Sequence, residues 1–399
     1  MSHEAYIFDD RVADGFAPFA LTRPCGELLY GRWSVRQRIE RAVGARVRGH
    51  VTRNWLARYT EPGAPPVTDV TAISTDSPRL FWSSRAIADP TKASDAPTNL
   101  WVGESLAGVT VEAGAEAPDR AWFSRPSPLP DARDVTLDGE WLTAPWDLVS
   151  GGADRLRLDL EGHLDGQLDQ TPPGVHRLGD APFVLGDGAT VEPGCLVDTR
   201  RGGVELGAGV EVRTGTRLQG PIYAGDRSKL LGGSVSGLAA GPSSYLRGEL
   251  EEVITFGYCN KAHDGFLGHA VLGAWVNLGA MTTNSDLKNN YGNVRVGPPG
   301  DAVDTGLTKL GSLIGDHVKT GIGVLLNTGT VLGAGSNIFG AELPPKWVPP
   351  FSWGQGAELS GYRREAFLKT AAIVLTRRGV DADEDTLSWL AAAWDEACG

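Results

Sequence analysis

The stretch "IGDHVKTGIGVLLNTGTVLGAGSNI", Ile314 to Ile338, decides the fold. Its inward candidates Ile314, Thr320, Leu326, Leu332 and Ile338 stand six apart, and Gly315, Gly321 and Gly333 follow three of them. A helix repeats every 3.6 residues and a simple strand every two, so neither yields a six-residue register marked by turn glycines. A parallel β-helix does. Each hexapeptide forms one flat side, three sides close a triangular coil, and the aliphatic residues stack inside the prism. Coils stacked in this way bury a core that no single repeat can bury alone.

Outward from this block the same step recurs at Leu272 and Leu278, with Phe266 one step back. It recurs earlier at Leu185, Val191 and Val197, and again at Leu206, Val212 and Leu218. Between Tyr223 and Phe266 the period blurs, and Asn284 to Leu310 carries no aliphatic register. The second gap reads as an excursion from the prism, and long loops on compact scaffolds usually carry function.

Residues 1–170 have ordinary α/β character: "AYIFDD" reads as a strand and "WSVRQRIERAV" as a helix with Val35, Ile39 and Val43 on one side. The β-helix is expected over 171–343, with "LDQTPPGVHRLGDAP" as the linker into it. Residues 344–399 read as a proline-aromatic strap and two helices, the first closed by Gly379 and the second capped by Asp383 or Asp385. Trp389 and Trp394 are expected to pack that last helix onto the body.

The net charge of −12 argues against nucleic acid or an anionic membrane as partner. No apolar run is long enough to span a bilayer, the start lacks a secretory pattern, and the four cysteines show no paired spacing. A cytoplasmic location is expected.

The segment "NKAHDGFLGHAVLGAWVNLGAMTTNSDLKNNYG", Asn260 to Gly292, together with "NTGTV", resembles the acetyltransferase domain of the GlmU-like enzymes. These are bifunctional sugar-1-phosphate nucleotidyltransferase/acetyltransferases, and the likeness is closest to a divergent bacterial branch. The opening "YIFDD…FAPFALTRPCGELLYGRWSVRQRI", "PWDLV" and the tail "PPFSWG…TRRG" also fit that branch. The resemblance implies an α/β nucleotidyltransferase-like domain, a left-handed parallel β-helix with a helical tail, homotrimers with sites between subunits, and acetyl-CoA as co-substrate. It implies N-acylation of an amino-sugar 1-phosphate by the β-helix, in nucleotide-sugar or cell-envelope precursor synthesis. Nucleotidyl transfer to a sugar 1-phosphate by the first domain would use a nucleoside triphosphate and Mg²⁺. A nucleotidyltransferase with the β-helix as trimerisation scaffold, and a non-catalytic β-helix binding protein, stand as alternatives.

Residue by residue, His263 lies fourteen positions before Asn277 of "VNLGAM", where the family has its catalytic histidine. Histidine suits a general base because its ordinary pKa lies near neutrality. Arg247 corresponds to the family's phosphate-binding arginine, Lys261 is the nearest candidate for its substrate lysine, and Asn277 would bind substrate. Ala280, Asn284, Asn290 and Tyr291 fall where acyl-CoA would lie. In the first domain the usual glycine-rich phosphate loop is replaced by "ALTRPCGELLYGR". There Arg23, Glu27 and Arg38 are the phosphate candidates, and Asp89 and Asp147 the metal candidates. Each has a structural counterpart: His263 as a surface histidine, Asn277 in an asparagine ladder, and Arg247 paired with Glu249 or Glu251. His269 and His317 read as structural. Three histidines on a β-helix also leave open a zinc site of the γ-carbonic anhydrase kind.

Overall fold

The computed structural model describes residues 4–92, 95–167 and 171–399. The expected start of the linker, residues 168–170, lies outside them. The first domain is built on a six-stranded sheet. Its strands are β1 (Glu4–Phe8), β2 (Val47–Val51), β3 (Arg79–Ser83), β4 (Thr98–Val102), β5 (Ser105–Val111) and β6 (Arg133–Leu137), in spatial order β2-β1-β3-β5-β4-β6. Only β5 runs antiparallel to its neighbours. Ala5 to Phe8 of β1 are all buried, as a central parallel strand covered on both faces requires. Helix α1 (Val35–Val43) starts at a capping box between Ser34 and Gln37 and stops at Gly44, whose φ of 67° suits glycine. Helix α2 (Gly152–Leu164) lays Leu156, Leu160 and Leu164 toward the interior.

The β-helix follows. In the block that decided the fold, Ile314 pairs with Leu332 and Thr320 with Ile338, both 18 positions apart, so three hexapeptides close one coil. Ile314, Thr320, Leu326, Leu332 and Ile338 are all buried. The first coils are longer, Arg177 pairing with Val197 across 20 positions and Val197 with Leu218 across 21. The blurred region is real. Strands β7 (Thr216–Ala224), β8 (Lys229–Ala240), β9 (Tyr245–Thr255) and β10 (Phe266–Leu272) run round a corner, with Val235 paired to Leu250 across only 15 positions. The excursion is real too: Leu272 pairs with Ile314 and Asn284 with Leu326 across 42 positions instead of 18, an insertion of 24.

One register expectation is corrected. Phe266 pairs with outward Glu249 and is only half-buried, whereas Leu267 pairs with Leu250 inside the prism. Strand side chains alternate, so a one-residue shift exchanges the two faces. Inward Leu267 and Leu272 stand five residues apart instead of six, with left-handed His269 between them, and that missing residue produces the shift.

Down one corner runs a column of left-handed residues: Gly209, Arg227, Ser243, Tyr258, Trp275, His317, Gly335 and Phe351 all have positive φ. The rings of Tyr258 and Trp275 stack there at 4.0 Å, with His317 continuing the stack at 6.1 Å. Helices α3 (Arg364–Thr376) and α4 (Glu384–Cys398) fold back over this side, Phe367 meeting His317 edge-on. Asp383 caps α4 through Thr386, Gly379 follows α3 with φ 72°, and Trp389 and Trp394 pack against the body as expected. No helix among the described residues is long and apolar enough to cross a membrane.

The two domains share a core. Leu148, Leu156 and Leu160 join Ala239, Ile254 and Val271 of the β-helix in one buried cluster. A buried ion-pair node sits beside it. Asp316 accepts from Thr22 Oγ1 at 2.8 Å, Arg23 Nε at 2.9 Å and Ala274 N at 2.8 Å, while both Arg23 Nη atoms hold Glu61 at 3.0 Å.

Candidate active site

His263 lies in the turn between the short strand Asn260–Lys261 and β10, and its imidazole is exposed. The turn is fixed from inside. Lys261 pairs with Leu246 as an inward residue and is 1 % exposed. Its ammonium donates to the carbonyls of Arg247 at 3.1 Å and His263 at 2.9 Å. Burial lowers its pKa to about 8. Lys261 therefore does not face substrate, which corrects its placement as the substrate lysine: it ties together the backbones of two site residues.

Arg247 lies outward on the preceding coil. Its Nε donates to Asp264 Oδ1 at 2.9 Å and its Nη1 to the Leu231 carbonyl at 2.9 Å, which leaves Nη2 for a ligand. Its partner is Asp264, not Glu249 or Glu251. Asn277 is exposed on the adjoining face, where its Oδ1 accepts from Asn260 Nδ2 at 2.7 Å. The ladder therefore exists, and it leaves the Asn277 amide nitrogen available. The structure thus gathers His263, Arg247 and Asp264 at one coil edge, with Asn277 beside them. Asp264 and Asn260 were missed by sequence reasoning, although both lie within three residues of His263.

The acyl-CoA candidates divide. Ala280 is half-buried next to Met281, whose N–H bonds the Asp264 carbonyl, so it borders this edge. Asn284 is 2 % exposed and clamps Gly268 through both its amide atoms, a structural role that corrects its assignment to the acyl pocket. Asn290 and Tyr291 project on the excursion, Asn290 closing a local turn onto Gly292 N and Tyr291 72 % exposed. His269 anchors the base of the same excursion, with Nδ1 at 2.7 Å from Asp286, and His317 is buried in the ring stack.

In the first domain, Arg23 is 2 % exposed and committed to Asp316 and Glu61, so it cannot reach a phosphate. Glu27 is likewise held by Arg36 and His50. Burial pushes its carboxyl up, but His50 and Arg36 outweigh this and bring it down to about 2. These two calls are corrected: long-range ion pairs consume both side chains. Arg38 pairs with Asp159 yet lines a cleft of about 680 Å³, together with Asp89. Asp147 lies elsewhere and accepts from Thr143 N, Thr143 Oγ1 and Ala144 N. Asp89 and Asp147 are therefore not a metal pair. No group of three or more possible ligands, as the zinc arrangement would need within one chain, occurs among the described residues.

Residues 5–166 match the family model of sugar nucleotidyl transferases. A bifunctional sugar-1-phosphate nucleotidylyltransferase/acetyltransferase of Sulfurisphaera tokodaii is 32% identical over 113 residues. That match covers 25% of this chain and 28% of the relative, little more than a quarter of its length. Among solved structures, an Arabidopsis UDP-N-acetylglucosamine acyltransferase aligns with 52% of this chain and 74% of its own, at 17% identity and a TM-score of 0.24. That last likeness is too loose to bear weight.

Proposed function

We propose, for a chain whose residues 5–166 match the sugar nucleotidyl transferase model and which resembles a bifunctional nucleotidylyltransferase/acetyltransferase, that its β-helix acylates the amine of an amino-sugar 1-phosphate from acetyl-CoA. The observation that carries this reading is the coil edge itself. An exposed imidazole stands beside an arginine with a spare Nη2, and both are fixed through their backbones by the buried Lys261.

In the reaction, the His263 imidazole takes a proton from the neutral substrate amine as its nitrogen attacks the thioester carbonyl. The C–N bond forms, the tetrahedral adduct collapses with cleavage of C–S, and the imidazolium returns the proton to the departing thiolate. Arg247 Nη2 meets the sugar phosphate, and the Asn277 amide donates to a sugar hydroxyl or to the developing oxyanion. The exposed Met281, Ile322 and Leu325 near this edge fit a homotrimer in which a neighbouring copy completes the pocket.

The test is thiol release from acetyl-CoA with glucosamine 1-phosphate. The wild type turns over, and His263→Ala loses about 10²–10⁴-fold with an unchanged melting temperature. Equal rates in the two proteins would refute the assignment of His263. Nucleotidyl transfer alone, read as pyrophosphate release from UTP or dTTP, is the second reading and rests on the match over residues 5–166.

A further inference from the structure

In open α/β sheets, ligands bind outside the carboxyl ends of the strands. Here that crevice is filled by the chain. At the end of β1, Asp9 accepts from Cys25 N at 3.2 Å and pairs with Arg53 at 3.1 Å. Asp10 is held by Arg85 through both carboxylate oxygens and also accepts from Val12 and Ala13 N–H. The residues just before the segment that replaces the phosphate loop form a plug: Phe16 and Phe19 are 1 % and 0 % exposed, and Phe19 meets Phe256 of the β-helix edge-on at 5.1 Å.

The first domain has another opening, the cleft between α1, α2 and the antiparallel pair Ala86–Ala88/Gly139–Trp141. None of Asp9, Asp10, Arg53 and Arg85 lines it. Trp33 gathers three guanidinium groups, Arg41 at 4.3 Å, Arg32 at 5.2 Å and Arg38 at 5.4 Å from ring centroids. Arg32 has Glu205 as partner and Arg38 has Asp159. Arg41 has no carboxylate within ion-pair distance among the described residues; the ring, not a counter-ion, positions its charge. Arg38 Nε is buried and also lacks a hydrogen-bond partner. Across the cleft stand the exposed carboxylates of Asp89, Asp138 and Glu140.

We infer that this cleft, and not the strand-end crevice, is the ligand pocket of the first domain, and that it takes a phosphorylated sugar. Arg41 supplies the uncompensated positive charge for the phosphoryl group, beside Arg38, whose charge Asp159 already neutralises. The carboxylates opposite accept from vicinal hydroxyls, which a bare anion does not offer. The volume of about 680 Å³ suits a sugar phosphate or nucleotide sugar. The inference deepens the proposed function by giving the first domain a substrate-holding site, and it rests on that reading only for the sugar class.

The test is calorimetric titration of the full chain with glucosamine 1-phosphate, UDP-glucose and inorganic phosphate. At least one of the two sugar ligands is expected to bind, with inorganic phosphate at least tenfold weaker. Arg41→Glu and Asp138→Asn, both at exposed positions, are each expected to weaken binding at least tenfold with unchanged far-UV CD. Hydrogen exchange is expected to slow over residues 33–42 and 138–140 on binding. Absence of sugar binding, affinity unchanged in both variants, phosphate binding as tightly as the sugar phosphate, or protection confined to residues 9–24 would each overturn the inference. His263→Ala is expected to bind these ligands in the cleft as the wild type does, so a failure of acyl transfer and a failure of the cleft are read separately.

Discussion

At Lys261 the chain puts an ammonium where the coil's interior calls for an aliphatic side chain, between Leu246 on one coil and the next coil below. The two carbonyls it serves, on Arg247 and His263, explain why it is retained. Burial lowers the folded-state pKa to about 8 from the ordinary 10.5. Between those values the unfolded chain binds more protons than the folded one, so stability rises with pH across that window. Lys261→Met removes this rise, while Lys319, shifted in the same direction by burial, remains in both proteins. Urea unfolding at pH 7.5 and pH 9.5 should therefore find the wild type gaining on the variant at the higher pH; parallel behaviour would refute the buried-ammonium account. His317 makes the opposite case. Both its ring nitrogens are buried without hydrogen-bond partners, inside a stack of aromatic rings. A buried polar group lacking partners costs about 1–3 kcal/mol, so His317→Phe should raise the unfolding free energy by about 1 kcal/mol in denaturant titration. A loss of stability would show that those nitrogens have partners in solution.

The coil is the element at which the corners can be tested. Gly233 has φ +94°, and an added Cβ would lie 2.1 Å from the Gly248 carbonyl oxygen on the next coil. Gly323 is also left-handed, at φ +73°, but an added Cβ there meets nothing within 4 Å. Gly233→Ala should cost several kcal/mol, in the range of overpacking combined with strained backbone. Gly323→Asn should cost under about 1 kcal/mol, because asparagine tolerates the left-handed region. Similar melting temperatures for the two variants would contradict the close coil contact. The same element shows what the sequence made legible. Ile314 to Ile338 announced the coil because a prism interior demands an aliphatic or small side chain every six residues, and the excursion showed as a gap in that demand. Asn277, one residue before inward Leu278, falls outward by the same reasoning, and it is exposed. Phe266 was misplaced because the step back from Leu272 is five residues and not six, and a single-residue shift reverses the faces. Counted from Leu267 instead, Lys261 stands six residues earlier and falls inside, where the structure has it. Arg23 was beyond such reasoning: it meets Asp316 across 293 positions, and no local spacing reports a partner that distant. Asn284 was within it, standing six residues after Leu278 and so inside, where it pairs with Leu326.

For the whole molecule, two domains that share a core should unfold together. Leu148, Leu156 and Leu160 of the first domain pack with Ala239, Ile254 and Val271 of the β-helix, and the Arg23–Asp316–Glu61 node closes beside them. Asp316 is fully buried and accepts three donors, so Asp316→Asn turns an amide nitrogen toward the Thr22 or Arg23 donors or toward Ala274 N–H. Breaking one partner of a buried pair costs about 3–5 kcal/mol, and the variant's melting temperature should fall accordingly. Its transition should nevertheless stay single, because the apolar contacts between the domains remain. Severing the chain removes both. Residues 1–170 expressed alone leave the β-helix side of that cluster open to water, so the fragment is expected to bind ANS and to melt without a cooperative transition, while the full chain does neither. A fragment that melts cooperatively near the temperature of the intact protein would mean that the shared cluster is a contact between two self-sufficient domains, and that the plug over the strand-end crevice holds its shape without the β-helix behind it.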